Sequence, residues 1–573
     1  MEQLWTRSYD TGVATALRYP SHPLHEYLAR AVRQYPDNPA LIFFGRRLCY
    51  RELDEAASRF AAALQGLGLG KGDRVALLLP NTPQYLICYY GTLRAGGVVV
   101  PTNPQYTARE LEHQMVDSGA RILVTLSLFL PRVQEVRDRT PLEHVVVTNI
   151  KEYFPPVTKL LFGFLKEKKA GHRVAKPEPA NILWLQELLS KHSAAELRPV
   201  EVSPEDLAVL GYTGGTTGVP KGAMLTHGNL VANVEQMSAW LPERREGAEI
   251  MMGALPFFHS YGQTVVMNQA VALGGTIVCI PNPRELDRVL QAIHKYKPTL
   301  FPGVPTLYTA INHHPRLQKY SLQSIRVCNS GAGALPPEVQ KSFEALTGAK
   351  LVEGYGLTEA SPVTHSNPLQ GKRKIGSIGV PFPDTEVKLI SPVTGAEVGP
   401  GEEGEIVIRG PQVMKGYWNR PDETAATLRD LGDGGGPWLF TGDIAKMDEE
   451  GYFYIVDRKK DMIKTSGFNV YPREIEDVLY EHPAILEAAV IGVPDQHRME
   501  VAKAFVVLRP GHTATEQEIR DFCRERLTGY KVPRSIEFRD SLPKTMVGKI
   551  LRRVLVEEER AKAAEAVPET AVA

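Results

Sequence analysis

The stretch Tyr212–Gly222, YTGGTTGVPKG, combines residue types that bind phosphate. Its glycines expose backbone N–H groups, its threonines add hydroxyls, and Lys221 adds a point charge. It differs from the common loop GxxxxGK[ST], because Pro220 precedes the lysine and Gly222 follows it. A flexible turn is the alternative, but so dense a mixture of glycines, hydroxyls and a lysine favours a phosphate site.

A second cluster, Glu353–Pro362, reads EGYGLTEASP. Its Tyr355 has the ring to stack on a purine, and Thr358 has a hydroxyl for a phosphate oxygen. Glu359 has the carboxylate oxygens that Mg²⁺ prefers. Because glycine-bounded Tyr and Glu residues occur in many turns, this cluster is moderate support for a nucleotide site.

Two later segments each contain single polar residues that suit a nucleotide. Within Thr441–Lys464, Asp443 can accept both ribose hydroxyls, and Arg458 can add a ribose or phosphate contact. Within PKTMVGKILRR, Lys549 follows a glycine in a turn-like stretch. Taken alone, each residue is better explained as a surface ion pair or a solvated charge.

The window Ile250–Pro283 contains no Asp, Glu, Lys or Arg. It is long enough to span a bilayer, but glycines, Pro256 and several amides interrupt it, so a spanning helix is rejected. Buried core and the wall of an apolar pocket remain as interpretations. His259, in the segment PFFHSYG, is correspondingly either a satisfied core histidine or a residue that gates such a pocket.

Short apolar runs supply the elements that must position these segments. Val75–Pro80 and Val98–Pro101 flank the helix-like PQYLICYYGTLRAGG, and RILVTL and HVVVTN follow. Such runs predict parallel strands buried on both faces, hence an α/β fold with βαβ units. The later runs GEIVIRG, GYFYIVD and SIEFRD are shorter with denser turns, so a second unit is expected to begin near Asp457–Lys460.

Composition limits the class of protein. The 573 residues include 66 Lys+Arg and 66 Asp+Glu, a net charge of zero that argues against a nucleic-acid binder. Five scattered cysteines indicate a reducing compartment without a zinc or redox motif. The acidic N-terminus lacks an apolar signal-peptide core. A cytoplasmic location is therefore expected, with peripheral contact at the inner face of the membrane as an added hypothesis.

That hypothesis comes from Lys159–Lys176, KLLFGFLKEKKAGHRVAK. The segment groups five large apolar residues beside six basic residues and a single acid, Glu167. It fits an amphipathic element at a membrane surface. A solvated helix or loop with a core-facing stripe fits equally well.

Together the clusters resemble the adenylate-forming enzymes, which include acyl-CoA synthetases, luciferase and peptide-synthetase adenylation domains. The ordered set YTGGTTGVPKG, EGYGLTEASP, TGD, DRKKDMIKTSGFNVYPREIE and PKTMVGKILRR carries the resemblance. Bacterial long-chain fatty-acid–CoA ligases are the most similar subgroup, through TNPQYTARELEHQMVDSGA, KRKIGSIGVPFPDTEV and GYKVPRSIEFRDSLPKTMVGKILRR. The resemblance implies flavodoxin-like α/β subdomains and a β-barrel-like subdomain, followed by a small mobile α+β domain.

The implied reaction has two steps. A carboxylate attacks the α-phosphate of ATP, giving acyl-AMP and pyrophosphate, and the thiol of coenzyme A then displaces AMP. Because two anions must be aligned, positioning and charge neutralisation carry the catalysis. The implied catalytic residues are Lys549, Lys221, Thr358, Glu359 and His259.

The resemblance also assigns binding roles. The Thr213–Lys221 loop grips the β- and γ-phosphates, Glu359 holds Mg²⁺, and Thr358 contacts the α-phosphate. Tyr355 flanks adenine, Asp443 and Arg458 hold ribose, and Lys549 bridges the carboxylate and the α-phosphate. The full set of implied cofactor-binding positions is Thr213, Gly214, Gly215, Thr216, Thr217, Gly218, Lys221, Gly331, Ala332, Gly333, Gly354, Tyr355, Gly356, Thr358, Asp443, Ile455, Arg458, Lys464, Ser466, Gly467 and Lys549.

In such enzymes the small domain rotates between the two steps. The implied domains are residues 1–459, which bind ATP and the acyl group, and residues 460–573, which carry Lys549, with the hinge at Lys460. After rotation, the Lys464–Phe468 loop replaces Lys549, and Ser466–Gly467 border the pantetheine tunnel.

PFFHSYG matches the segment that lines the acyl pocket, which favours the pocket role of His259. A pocket without Asp or Glu favours an apolar acid over an amino acid, whose ammonium needs a partner. A long-chain fatty-acid–CoA ligase is thus expected, with ATP, Mg²⁺, fatty acid and coenzyme A as ligands and a homodimer as a further expectation. The alternatives are a ligase for medium-chain or aryl acids, a fatty acyl-AMP ligase feeding a carrier protein, and a non-catalytic lipid-binding or uptake protein.

Overall fold

The computed structural model describes residues 3–174, 181–213, 220–458, 461–465, 468–495, 499–545 and 548–565. The strands in these ranges are β1 (Pro39–Phe43), β2 (Arg46–Cys49), β3 (Arg74–Leu78), β4 (Val98–Pro101), β5 (Ile122–Leu126), β6 (His144–Thr148), β7 (Ile182–Trp184), β8 (Leu207–Thr213), β9 (Lys221–Thr226), β10 (Ile250–Gly253), β11 (Thr276–Cys279), β12 (Leu300–Gly303), β13 (Val327–Ser330), β14 (Lys350–Gly356), β15 (Val363–Ser366), β16 (Val380–Pro381), β17 (Glu386–Ile390), β18 (Glu403–Arg409), β19 (Leu428–Arg429), β20 (Trp438–Met447), β21 (Phe453–Arg458), β22 (Ile463–Thr465), β23 (Phe468–Val470), β24 (Ile485–Asp495), β25 (Met499–Leu508) and β26 (Ser535–Phe538).

The α-helices in the same ranges are α1 (Glu26–Gln34), α2 (Tyr50–Gly66), α3 (Pro83–Arg94), α4 (Ala108–Ser118), α5 (Leu130–Val136), α6 (Pro156–Leu165), α7 (Leu185–Lys191), α8 (His227–Ala239), α9 (Gln269–Ala272), α10 (Leu286–Tyr296), α11 (Pro305–Asn312), α12 (Pro337–Thr347), α13 (Pro421–Thr427), α14 (Pro472–Tyr480), α15 (Glu516–Arg524) and α16 (Arg552–Glu565).

The first sheet has seven strands in the order β7-β6-β5-β3-β4-β8-β9. Its strands pair in parallel except at the end, where β9 runs antiparallel to β8. The four apolar runs that the sequence marks as buried strands are β3, β4, β5 and β6, and the helix between the first two is α3. The predicted βαβ organisation is confirmed.

Helix α3 packs against strands β3 and β4 of this sheet. Almost every residue of the helix is buried, because its sequence PQYLICYYGTLR is mostly apolar on every side.

The start and the end of helix α4 are determined by capping residues. Thr107 and Glu110 form a capping box at its start, and Gly119 stops it in the left-handed conformation at φ 62°.

The second sheet has nine strands in the order β16-β15-β14-β13-β12-β10-β11-β1-β2. Its centre is parallel, so the carboxyl ends of β12, β13 and β14 meet at one edge. The uncharged window forms β10, a π-helical turn at Gly262–Asn268, α9 and β11, all within the core. No helix among the described residues is long and apolar enough to cross a membrane.

Two further sheets lie on either side of Lys460. The antiparallel third sheet joins β17, β18, β19, β20 and β21, and it corresponds to the expected barrel-like subdomain. The fourth sheet joins β22 to β26, and its buried side chains form hydrophobic clusters of their own. A large N-terminal part and a small C-terminal part are therefore present. Lys460 lies outside the described residues, so a boundary and hinge at that residue stay a prediction.

The basic segment Lys159–Lys176 begins within helix α6, which exposes most of its apolar residues. Phe164 is 81% exposed and Leu165 is 71% exposed, and the helix contains no buried residue. Only Phe162 packs inward, against Phe154 and His172. The expected core-facing stripe is thus a single aromatic contact, and the remaining apolar side chains face solvent.

Candidate active site

The stretch predicted to bind phosphate, Tyr212–Gly222, connects two paired strands at the edge of the first sheet. Thr213, the last residue of β8, lies opposite Lys221, the first residue of β9, in an antiparallel register. The Tyr212 hydroxyl donates to Asp117 at 2.6 Å, and Arg420 donates to the same carboxylate at 2.8 Å. The strand pairing thus fixes both ends of the loop, and the bond to Asp117 adds support at Tyr212. The predicted loop residues Gly214, Gly215, Thr216, Thr217 and Gly218 lie outside the described residues.

Lys221, Tyr417 and Glu359 form a polar group beside this loop. The Lys221 ammonium lies 5.3 Å from the centre of the Tyr417 ring, and the Tyr417 hydroxyl donates to Glu359 at 2.8 Å. The backbone N–H of Met414 donates to the Glu359 carbonyl at 2.8 Å, which holds that turn in place. A cation and an anion are thus fixed beside one loop, as a phosphate–metal site requires.

Thr358 lies between this group and the uncharged window. Its hydroxyl shares a 3.0 Å hydrogen bond with Ser260. The Thr358 methyl packs against Gly211 of β8 so closely that a β-carbon there would lie 2.7 Å away. The glycine therefore permits the second motif to approach the strand that leads into the first.

Tyr355, Asp443 and Arg458 form the second polar group. The Tyr355 hydroxyl donates to Asp443 at 2.6 Å, and the Arg458 Nε lies 3.1 Å from the same carboxylate. Asp443 and Arg458 are register partners on β20 and β21. Burial and the Asp443 charge raise the pKa of Tyr355 well above its usual value, so its hydroxyl stays a hydrogen-bond donor.

Lys549 reaches this group from the C-terminal part. The surrounding protein lowers the pKa of Lys549 to about 8 by desolvation, and the Arg458 charge lowers it further, while Asp443 opposes the shift. The side chain still keeps solvent-accessible surface. Desolvation and, second, the Lys549 charge lower the pKa of half-buried His259 to about 4. The two implied catalytic residues therefore face each other across the site.

The preceding residue shows how closely the two parts meet. Gly548 has φ +75°, and a β-carbon there would collide with the Thr306 hydroxyl at the start of α11. Arg552, three residues beyond Lys549, bonds Asp457 at 3.1 Å, Asp461 at 3.2 Å and Glu476 at 2.5 Å. The turn that carries Lys549 is thus held on both sides.

The remaining predicted nucleotide residues fall into three sets. Gly331, Ala332 and Gly333 follow β13, Gly354 and Gly356 lie in β14, and Ile455 lies in β21 opposite Ala445. Lys464 lies in β22, where its N–H donates to Glu500 at 2.8 Å, and no described contact joins it to the polar groups. Ser466 and Gly467 lie outside the described residues.

An apolar cavity of about 60 Å³ lies in the large N-terminal part. It follows one face of the second sheet under α8, and its lining includes no charged residue. The lining residues are Met237, Trp240, Leu241, Met251, Val265, Gln269, Leu300, Pro302, Val327, Asn329, Val352, Val363, Ser366, Leu369 and Phe382. Three residues of the uncharged window, Met251, Val265 and Gln269, belong to this wall. The pocket interpretation of that window is therefore confirmed in part, since most of the window is ordinary core.

Asn329 and Tyr261 connect the cavity to the polar groups. The Tyr261 hydroxyl lies 2.8 Å from the Asn329 side-chain oxygen, and Asn329 lines the cavity. Tyr261 follows Ser260, which bonds Thr358. His259 itself does not line the cavity, and its Nδ1 accepts from the Tyr261 N–H at 3.2 Å. Gating by His259 stays a prediction.

Comparison with known proteins agrees with this arrangement. The profile described as "AMP-binding enzyme" matches residues 28–418, and the one described as "AMP-binding enzyme C-terminal domain" matches residues 474–549. The chain belongs to the AMP-binding enzyme family. The resemblance to adenylate-forming enzymes is thereby confirmed.

This AMP-binding enzyme is similar to its relatives along almost its whole length. It is 49% identical to the long-chain-fatty-acid–CoA ligase of Bacillus subtilis (strain 168), over 97% of the chain and 98% of that protein. It is 44% identical to the ligase of the same name from Escherichia coli O157:H7, over 98% and 99%. The solved anthranilate CoA ligase AuaEII with anthranoyl-AMP superimposes with TM-score 0.83 at 28% identity, covering 96% of this chain and 99% of that one.

Several residues of the candidate site could not be recognised from the sequence. Tyr417, Ser260 and Asn329 are uncharged and lie in segments without a pattern of charge. Arg552 lies in the last motif, but its role depends on acids far along the chain, such as Glu476. Among these residues, only Tyr417 lies in a recognisable local pattern, the triplet GYW of a glycine followed by two aromatic residues.

Proposed function

We propose that this AMP-binding enzyme is a long-chain fatty-acid–CoA ligase. The observation that supports the proposal is the apolar cavity, which has no charged lining residue and whose wall residue Asn329 accepts a hydrogen bond from Tyr261, next to Ser260 and its partner Thr358. An amino-acid substrate would leave its ammonium unpaired there, at a high desolvation cost. An alkyl chain gains about 0.8 kcal/mol for each buried CH₂. The two bacterial relatives named above are ligases for such acids.

In the proposed first step, the chain's polar groups hold ATP and the fatty-acid carboxylate together. Asp443 accepts the ribose hydroxyls, Lys221 and the adjoining loop bind the terminal phosphates, and Thr358 donates to the α-phosphate. Lys549 lies between the carboxylate and the α-phosphate and offsets the charge that builds up in the transition state. Its lowered pKa reflects desolvation by the surrounding protein and the nearby Arg458 cation, an environment that favours a bound anion.

Glu359 is the residue proposed to hold Mg²⁺. One of its oxygens accepts from Tyr417, and no hydrogen bond within the described part of the chain engages the other. No group of three or more His, Cys, Asp or Glu side chains in the described ranges could enclose a metal. A single carboxylate fits, because Mg²⁺ commonly takes its other ligands from phosphates and water. The ion, when bound, would neutralise phosphate charge.

In the proposed second step, the small C-terminal part rotates about Lys460 and brings Lys464 to the site in place of Lys549. The position of Lys464 away from the polar groups supports an arrangement suited to the first step. Coenzyme A would then enter beside Ser466 and Gly467, and its thiolate would displace AMP from the acyl carbon.

AMP release with a series of saturated acids, in the presence and absence of coenzyme A, tests the proposed function. The expected result is AMP release that requires both a long-chain acid and coenzyme A. Preference for aryl or medium-chain acids contradicts the long-chain assignment. Acyl-AMP that never passes to coenzyme A identifies a fatty acyl-AMP ligase instead, and absence of any ATP consumption identifies a non-catalytic lipid-binding protein.

We further propose that helix α6 and the basic turn after it contact anionic membranes. The single acid of the segment, Glu167, is buried against Lys151 at 2.6 Å and Asn149 at 2.9 Å. Lys166, Lys168 and Lys169 therefore stand exposed beside the exposed apolar face, without a neighbouring surface acid from this segment. An apolar face flanked by lysines binds interfaces through both burial and charge.

Flotation with vesicles containing phosphatidylglycerol tests this contact. Changing Lys166, Lys168 and Lys169 to Glu together should abolish binding, because each basic residue near an anionic surface contributes about 1 kcal/mol. The matched control changes three exposed lysines elsewhere, Lys191, Lys295 and Lys341, to Glu. Unchanged flotation of the first variant contradicts the proposal.

A further inference from the structure

A second cavity adjoins the apolar cavity at the end that is distant from the polar groups. It has a volume of about 360 Å³ and lies where β12, β13 and β14 begin. These strands run in parallel, so their first residues, Leu300, Val327 and Lys350, share one edge. The polar groups of the active site lie near the opposite, carboxyl edge. The two cavities share Leu241, Leu300, Val327 and Leu369 as a common wall.

The lining of this second cavity is charged, unlike that of the first. Glu243 and Glu249 supply two acids, and Arg244, Arg326 and Lys350 supply three bases, a difference of one positive charge. Glu249 is 2% exposed, and its oxygens accept from the Arg245 N–H at 2.8 Å, the Thr299 hydroxyl at 2.5 Å and Arg326. This acid is therefore buried and already engaged within the protein.

The bases are less fully used than the acid. Among the described residues, the Arg326 Nε has no hydrogen-bond partner, and no ion pair engages the half-buried Lys350 ammonium. Arg244, by contrast, is exposed on the rim and is engaged by the Ser238 carbonyl and by Glu246. Arg326 is moreover ion-paired with Glu249, and its Nε is a buried atom, so it is not free to bind a further anion. Among the described bases of this lining, Lys350 is thus the one that is left to receive an anion from the cavity.

We infer that this cavity binds the second carboxylate of an α,ω-dicarboxylic acid whose first carboxylate is activated at Lys549. The inference rests on the proposed function. From Lys350 to Tyr355 along β14 is five residues, or about 16 Å at the usual strand rise. A long acyl chain lying along these strands therefore carries its far end to Lys350. A charged far end would be costly in the apolar cavity, and it becomes favourable only where a cation receives it.

The test compares saturated diacids, from decanedioic to eicosanedioic acid, with their monomethyl esters. Each ester has one free carboxyl group and nearly the same size, so the ratio of kcat/KM for diacid over ester isolates the far charge. AMP release with coenzyme A is the measurement. The ratio is expected to peak at one chain length, at about tenfold.

Two substitutions at Lys350 sharpen this test. Lys350→Met should bring the peak ratio close to one, and Lys350→Glu should make the ester the better substrate. Lys341→Met, at an exposed lysine of α12 outside the cavity, should leave the ratio as in the parent. Because each ratio is measured within one variant, any loss of folded protein cancels.

The outcomes separate this inference from the proposed function. Equal use of diacid and ester by the parent enzyme, or an unchanged ratio in both Lys350 variants, overturns the inference while palmitate activation upholds the ligase assignment. Failure to activate palmitate and every diacid overturns the proposed function and this inference together.

Discussion

The polar groups and the apolar cavity are built in opposite ways. The polar groups join residues that are distant along the chain and lie on different sheets, such as Tyr355 with Asp443 and Glu359 with Tyr417, through directional bonds of 2.6–3.1 Å. The cavity is shaped by side chains in nonspecific contact, with only Asn329, Gln269 and Ser366 polar. Chemistry common to every acid is therefore separated from the choice of acid, and substitutions should act on one without the other.

The strongest test of that separation is Lys549→Ala. Loss of the ammonium should lower acyl-AMP formation about 10²–10³-fold, because a charge that stabilises the transition state is removed. ATP–pyrophosphate exchange measures this step for several acids, and every acid should lose by the same factor. Thioester formation from supplied acyl-AMP should be largely spared.

Lys191→Ala, at an exposed lysine on α7, is the control and should change neither half-reaction. Equal loss in both half-reactions of Lys549→Ala would refute a role confined to adenylation, and with it the proposed rotation.

Asp443→Asn should have the next largest effect. The change removes the charge that pairs with Arg458 and weakens the acceptor of the Tyr355 hydroxyl, leaving a partly buried cation unpaired. We expect kcat/KM for ATP to fall about 10–100-fold, as for the loss of a charged hydrogen bond worth about 1.5–3 kcal/mol. The ratio of palmitate to octanoate activation should not change, and a shifted ratio would show that the two regions are coupled. Glu449→Gln, at an exposed acid, is the control.

Val327→Phe tests the cavity alone. A larger ring at the far wall takes the room of two or three methylenes, each worth about 0.8 kcal/mol, so palmitate activation should fall roughly 30-fold relative to octanoate. KM for ATP should stay constant. Overpacking can also destabilise the fold. A thermal melt of the variant and its rate of octanoate activation show whether the protein is still folded and active. An unchanged palmitate-to-octanoate ratio would place the acyl chain elsewhere.

The pH profile should show the smallest effect. Because the pKa of free Lys549 is lowered to about 8, the ammonium is lost as pH rises through that value, and adenylation kcat/KM should decline roughly fourfold by pH 8.5. Lys549→Arg should move this decline to much higher pH, since arginine stays protonated. The profile of thioester formation from supplied acyl-AMP should lack the decline. If both half-reactions decline alike, another group is responsible.

Sequence patterns predicted the framework well, for reasons visible in particular elements. The runs that form β3, β4, β5 and β6 are continuous and apolar, and such runs are typical of parallel strands that are buried on both faces. The motif residues Tyr355, Asp443 and Arg458 were found because each lies in a distinctive local pattern. The structure then joins them in a single hydrogen-bonded group.

Other features depend on contacts that no local pattern records. Tyr417 belongs to the site only because its hydroxyl donates a hydrogen bond to Glu359, which is 58 positions away in the sequence. The depressed pKa of Lys549 arises from packing between parts of the chain that meet only in the fold. The cavity illustrates the same limit, since 12 of its 15 lining residues come from outside the uncharged window that suggested it.

The contact between Gly548 and Thr306 has a consequence for the balance of domain arrangements. At φ +75° and against the Thr306 hydroxyl, residue 548 has room for hydrogen but not for a methyl group. A single added carbon would penalise the arrangement that seats Lys549 without touching ATP, acid or coenzyme A. If the C-terminal part rotates as proposed, the relative populations of the two arrangements, and so the share of time spent on each half-reaction, depend in part on an atom that the chain leaves out.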